Sequence, residues 1–235
     1  MFPLHLSSAL FLMIVAGAFV TPLLAHDDYD TRDVQGWTVH VHHQLLKQEP
    51  EQVERGLEIL DEQIRRLIAV VPAEKVERLK LVPMWISPPY EGFGPTAEYH
   101  PSADWLRENG RAESLAKCIE FTNLAIMERE NKRMPMFVLH ELAHAYHDQV
   151  VGFENGEVIK VFEQARKSRS YDNVERHDGK MAKSYAMTNH KEYFAEDTEA
   201  FFGRNDFYPF TASQLKEHDP AMFALLDKIW GSPQR

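Results

Sequence analysis

The stretch that most constrains this chain is His140-Glu141-Leu142-Ala143-His144, two histidines one helical turn apart with a glutamate between them. Four residues of α-helix turn through about 400° and rise about 6 Å, so both imidazoles leave one face about 40° apart, close enough to share one Zn2+. Glu141 stands about 100° round from His140, where its carboxylate reaches water at such a metal without occupying the metal itself. Val138, Leu139, Leu142 and Tyr146 fall roughly opposite the histidines, which makes a helix packed behind and polar in front. His147 shares the histidine face. Pairing it with His144 would leave Glu141 without a role, so His147 is assigned to support of the ligands or to the cleft wall.

Zinc held by two histidines needs a third protein ligand and an open position. Downstream, in the segment 191–202, Glu192, Glu196 and Glu199 fall within about 60° of one another on a helix. Phe194 and Phe201 lie opposite, with Phe202 beside them. Such a stripe is ordinarily the solvated side of an amphipathic helix. Beside HELAH it becomes the carboxylate side of a metal site, with Glu192 as ligand and Glu196, one turn on, hydrogen-bonded to a ligating histidine to fix its tautomer. His177 and His190 are the rival third ligands, although histidines in polar loops are ordinarily just exposed.

The 36 acidic and 26 basic residues all lie after Ala25. The apolar run before it has signal-peptide size and ends in a small residue, which predicts export with cleavage after Ala25. An uncleaved anchor is the alternative, because the run is long enough to span a bilayer and carries His5 where a signal usually has Lys or Arg. Either way the working part is extracellular, or periplasmic in a Gram-negative bacterium. The mature portion, about 210 of the 235 residues, suffices for a single domain with a cleft between an upper lobe, about 34–151, and a lower lobe, about 152–235. Cys118 is the only cysteine, so no intrachain disulfide forms and stability must come from packing, with a metal as a second possible source; Cys118 itself is expected to be a buried small hydrophobe. A net charge of -10 without a local Lys/Arg cluster excludes nucleic acid as a partner, and leaves a membrane only to an uncleaved N-terminal segment.

Elsewhere, Trp37, Val39 and Val41 alternate with Thr38, His40 and His42 at strand period, and the polar face runs into a loop at His43. No carboxylate or cysteine stands near these histidines at ligand spacing. Apolar residues from Val53 to Ile68 recur at helical period until Pro72; a strand is expected at Lys80 to Ser87 and another at Cys118 to Thr122. Between them, Pro88 to Pro101 is turn-rich, with Tyr90, Phe93 and Tyr99 either covering the core or folding over a cleft. Further helices are expected over 136–151, with Pro135 in the first turn, over 157–168, over 190–202 ending at Gly203, and from Pro220 to Trp230 after Asp219. The total is α+β, mostly helix with a few strands.

HELAH, followed by Tyr185 and by EYFAE at Glu192 to Glu196, resembles the catalytic domain of anthrax lethal factor and the related secreted Pro-Pro endopeptidases of clostridia, over about 135–202. In that family the first Glu of an EFFAE-like segment binds zinc and a tyrosine seven residues earlier stabilises the oxyanion; the residue seven before Glu192 is Tyr185. The resemblance implies His140, His144 and Glu192 as ligands of one Zn2+ per chain, Glu141 as base and Tyr185 as oxyanion donor. It implies a zincin-like fold, a small mixed sheet with an active-site helix above a mainly helical C-terminal lobe, and a secreted metallopeptidase acting on peptides or proteins. By analogy with such folds, Cys118 to Thr122 would be the sheet edge on which an extended substrate adds as a strand. The competing expectation is a secreted zinc-binding domain that keeps the fold without catalysis; retention of Glu141 and Tyr185 counts against it.

Overall fold

The computed structural model describes residues 28–91 and 97–233. Met1 to Ala25, with the expected cleavage site, lies outside the described residues, as does Phe93. Strands β1 (Tyr29–Val34) and β2 (Trp37–His42) form a hairpin whose two turn residues, Gln35 and Gly36, both take positive φ, the geometry that matches the strand twist. Trp37, Val39 and Val41 are buried and Thr38 is exposed, the alternation the sequence predicts. The chain joins the sheet at Tyr29, earlier than expected, and His42 leads into a helix where a loop was expected.

Helices α1 (His43–Gln48), α2 (Pro50–Val70) and α3 (Ala73–Leu79) come next, with Pro50 opening α2 and Pro72 standing immediately before α3. Proline stops one helix and pre-sets the backbone for the next. For that reason the strand expected from Lys80 shrinks to β3 (Met84–Ile86): the backbone of Lys80 to Val82 is still closing the last turns of α3. After β4 (Ala97–Tyr99), α4 (Ala103–Glu108) and β5 (Ile119–Phe121), the order across the sheet is β1-β2-β3-β5-β4. β2, β3 and β5 run parallel and the outer pairs antiparallel. β5 is therefore interior and not the sheet edge expected of Cys118 to Thr122; the edge beside the cleft is β4, inside the segment expected to be turn-rich.

The register sorts side chains onto two faces. Val39, Met84, Ile119 and Tyr99 share the face toward the main helices, and His40, Trp85, Glu120 and Glu98 share the other. Under that second face lies a small core of Tyr29, Trp85, Leu106, Leu115 and Cys118, and Cys118 is buried as expected.

The main core runs without interruption from Val34 to Trp230. α5 (Met127–Arg133) and α6 (Phe137–Tyr146, prolonged by a π-type turn His147–Val151) pack beside α2, and Gln63 of α2 donates to Asn131 of α5 at 2.7 Å. Pro135 precedes α6 instead of opening its first turn. α7 (Gly156–Ser168), the hairpin β6 (Val174–Glu175) and β7 (Met181–Ala182), α8 (His190–Phe202), α9 (Ala212–His218) and α10 (Pro220–Trp230) complete the chain. Asp219 caps α10 as expected, accepting from the Met222 N–H at 3.0 Å. Trp230 stacks on Tyr146 of α6 and donates to Thr198 of α8, so the last helix joins the two that carry the candidate histidines and glutamates. α8 is the centre of this half, buried from Tyr193 to Phe202. No helix among the described residues is long and apolar enough to cross a membrane.

Candidate metal centre

Two short-range devices set the positions of the candidate ligands. α6 starts after the Pro135-Met136 turn, its first bond running from the His140 N–H to the Met136 carbonyl at 3.0 Å, and its helical pitch puts His140 and His144 on one face. α8 is capped by Asn189, whose Oδ1 accepts from the N–H groups of Lys191 and Glu192 at 2.8 and 3.0 Å, which holds Glu192 in the first turn. α6 and α8 pack directly against each other. His140 Nε2 and His144 Nε2 lie 3.2 Å apart, and Glu192 Oε2 lies 3.2 Å from each. Tetrahedral zinc with bonds of about 2.0–2.1 Å separates its ligands by about 3.3 Å. Two imidazole nitrogens and a carboxylate oxygen at the corners of such a triangle fit that ion, in geometry and in donor chemistry.

Behind the triangle, His140 Nδ1 lies 2.8 Å from Glu199 Oε1. Glu196 Oε1 is 3.9 Å from the same nitrogen, beyond hydrogen-bond length, and Glu196 Oε2 instead accepts from Asn205 at 3.2 Å. The histidine-orienting role expected of Glu196 therefore falls to Glu199. Both belong to the same stripe, and the crossing of α6 over α8 decides which of them meets the ring. His147 is fully buried among Phe153, Phe194 and His190, and neither ring nitrogen has a hydrogen-bond partner among the described residues. It contacts neither the cleft nor a ligand's free nitrogen, so the supporting role expected of it is not what its surroundings provide. Of the rival ligands, His190 engages the Phe153 carbonyl at 2.8 Å and His177 approaches Asp206 at 3.7 Å; both lie outside the triangle.

The charges reflect these contacts. Burial pushes the Glu192 carboxyl up, but hydrogen bonds from His140 and His144 outweigh it and leave Glu192 well below the usual carboxylate range. Burial disfavours the charged form of both imidazoles. In His140 the two carboxylates, Glu192 and Glu199, overcome it and raise the pKa; in His144, with Glu192 alone, burial prevails and the pKa falls. Burial and the neighbouring Glu199 raise Glu196 well above its ordinary value, and burial raises Glu199 as well, opposed by its hydrogen bond to His140. Burial lifts Glu141 to about 8, opposed by His140 and by the Tyr99 N–H; a divalent cation at the three ligands would draw it back down.

A cleft of about 560 Å3 opens over the triangle, lined by His140, Glu141, His144, Glu192 and Tyr185. Tyr185 sits in a single 3-10 turn just before α8, half exposed, its hydroxyl without a hydrogen bond among the described residues. Burial and then the charge of Glu192 raise its pKa, so the phenol remains a donor. The opposite wall is β4. The Tyr99 N–H donates to Glu141 Oε2 at 2.8 Å, and the Tyr99 hydroxyl donates to Asp148 at 2.6 Å and accepts from Gln149 at 3.1 Å. The flanking residues bind on the far face of the sheet, Glu98 to Arg111 at 2.7 Å and His100 to Glu120 at 3.0 Å. Nothing in the sequence marked Tyr99 for this role, because its contribution is a backbone N–H. No protein-family model, curated protein or solved structure matches the chain.

Proposed function

We propose that the chain is a secreted zinc metallopeptidase that hydrolyses peptide bonds, with His140, His144 and Glu192 as ligands, and that its α+β fold is zincin-like. The observation that carries this is the 3.2 Å triangle of ligand atoms with Glu141 on the cleft side of it. The motif resemblance to lethal factor and the Pro-Pro endopeptidases supports the same reading, and export rests on the charge-free first 25 residues. Zn2+ at this site supplies Lewis-acid polarisation of a carbonyl and acidification of water.

The side chains divide the remaining work. Glu141 has one oxygen fixed by the Tyr99 N–H, which leaves Oε1 to accept a proton from the attacking water and deliver it to the departing amine. Tyr185 donates its O–H to the carbonyl oxygen as negative charge grows there, an interaction stronger in the transition state than in the substrate. An extended peptide finds its place along β4. The backbone of His100 pairs with Cys118 and Lys117, so alternation turns the Ala97 and Tyr99 backbone groups outward, toward the cleft. The Tyr99 N–H is committed to Glu141, which leaves the Tyr99 carbonyl to receive a substrate N–H.

Metal analysis and a peptide-library digest, both on the chain from His26, test the proposal. One zinc per chain and cleavage are expected, with Glu141→Gln keeping its zinc while the rate drops by about 10²-fold or more. Full activity of Glu141→Gln would overturn its role as base. Stoichiometric zinc without cleavage of any peptide by the parent protein would overturn the peptidase assignment in favour of a non-catalytic zinc-binding domain.

A further inference from the structure

Two cationic side chains line the cleft among the described residues, and they differ in what neutralises them. Arg133 is spent on its own fold: its guanidinium meets Glu130 at 2.6 Å and Asp206 at 2.5 Å. Lys191 has no carboxylate partner among the described residues. Its Nζ stands 4.2 Å from the centroid of the Phe153 ring, a cation–π contact that positions the ammonium without cancelling its charge. Both members of that contact are anchored. The Lys191 backbone N–H is held by Asn189, the Phe153 ring packs edge-on against His147, and the Phe153 carbonyl is held by His190.

The cleft also has a direction. Phe137, His140 and His144 line it on successive turns of α6, about 5 Å per turn. At the Phe137 end Phe121, Met127 and Met134 give an apolar lining, and the cation there, Arg133, is neutralised by Glu130 and Asp206, which line the cleft beside it. Beyond His144 stand Phe153 and Lys191. Among the described residues, a substrate anion entering this cleft therefore finds, besides the proposed metal, one lysine or arginine without a carboxylate partner, at one end, next to the sequence neighbour Glu192.

We propose that Lys191 binds a carboxylate of the substrate, so that the cleft selects peptides bearing that group, on an acidic side chain or at a free C-terminus, on the His144 side of the bond cleaved. The proposal rests on the peptidase function given above and adds a substrate class to it. It separates this cleft from one that reads apolar side chains alone: the apolar end accepts a hydrophobic residue and the Lys191 end requires negative charge.

The test uses the zinc-loaded chain from His26 and matched fluorogenic peptides, Glu against Gln at each position flanking the bond, and free acid against C-terminal amide. On one side of the bond the carboxylate form should be cleaved about fivefold faster or more, the size of effect a partly buried charge pair supports. That ratio should collapse in Lys191→Met, survive in Lys191→Arg and reverse in favour of Lys-containing peptides in Lys191→Glu. A Glu/Gln contrast locates the carboxylate on a side chain; an acid/amide contrast locates it at the C-terminus, and either supports the proposal. Cleavage with neither contrast, or with a contrast that persists in Lys191→Met, overturns it and leaves the peptidase function standing. Stoichiometric zinc with no cleavage of any peptide overturns both.

Discussion

Substituting Glu199 should weaken zinc binding, and substituting Glu196 should barely do so, although the two carboxylates lie one turn apart on the same helix. The hydrogen bond from His140 to Glu199 is 2.8 Å long between side chains that are 6% and 0% exposed, and it fixes which ring nitrogen faces His144 and Glu192. Partners of this kind contribute about 10- to 100-fold to metal affinity, or about 1.4–2.7 kcal/mol. Glu199→Leu removes the acceptor altogether and belongs at the upper end. Glu199→Gln keeps an acceptor oxygen, but an amide oxygen accepts more weakly than a carboxylate, so about tenfold is expected. Glu196 stands 3.9 Å from the same nitrogen, beyond hydrogen-bond length, and Glu196→Gln keeps its shape and an oxygen for Asn205; less than about threefold is expected, since no hydrogen bond to the ligand is lost. Competition against a chromophoric chelator at fixed pH measures all three, with circular dichroism confirming the fold of each metal-free variant. A loss in Glu196→Gln equal to or larger than that in Glu199→Gln would refute the assignment.

Buried groups away from the triangle bear on stability. Gly56 lies inside α2, and a Cβ there would come within 2.7 Å of Leu124 Cδ2. Gly56→Ala gains about 1 kcal/mol of helix propensity but overpacks the contact at about 1–3 kcal/mol, so a net loss of up to about 2 kcal/mol is expected in the denaturant midpoint, and a raised midpoint would count against it. Asp197 is 1% exposed, and burial followed by the charge of Asp219 pushes its pKa well above normal. An acid raised in this way is compatible with the fold below its unfolded pKa, about 3.9, and costs stability as pH climbs toward the folded value, about 1.4 kcal/mol per pH unit. Asp197→Asn should therefore melt higher than the parent at neutral pH, with the gap closing toward pH 4; an equal gap at both ends of that range would rule out burial as the cause.

Helical periodicity carried most of what could be read from sequence about the site. It put His140 and His144 on one face and Glu192 on the facing stripe, and the structure brings those three side chains to one point. The same periodicity could not separate Glu199 from Glu196, because both angles suit an outer partner and the choice depends on how α6 crosses α8. Strand β4 was illegible for a different reason: three residues, Ala-Glu-Tyr, hold too little alternation to stand out from a segment dominated by proline and glycine. α3 was hidden by Pro72, whose effect on the helix before it is the one a sequence displays most plainly. His147 matched its neighbours in type and face, yet its ring is enclosed by aromatics, a matter of three-dimensional packing that spacing does not encode.

β4 fastens the wall of the cleft to the opposite side of the sheet. Glu98 and His100 reach through to Arg111 and Glu120, while Tyr99 between them steadies Glu141. Arg111, 6% exposed, never enters the cleft, yet shortening it would free Glu98, loosen the strand and let the glutamate swing away from its post. In a mutational scan scored by turnover alone, Arg111 would pass for a catalytic arginine. Its signature would be different from that of a true participant: intact zinc, falling rate, and recovery by a lysine long enough to span the 2.7 Å contact that the guanidinium now makes.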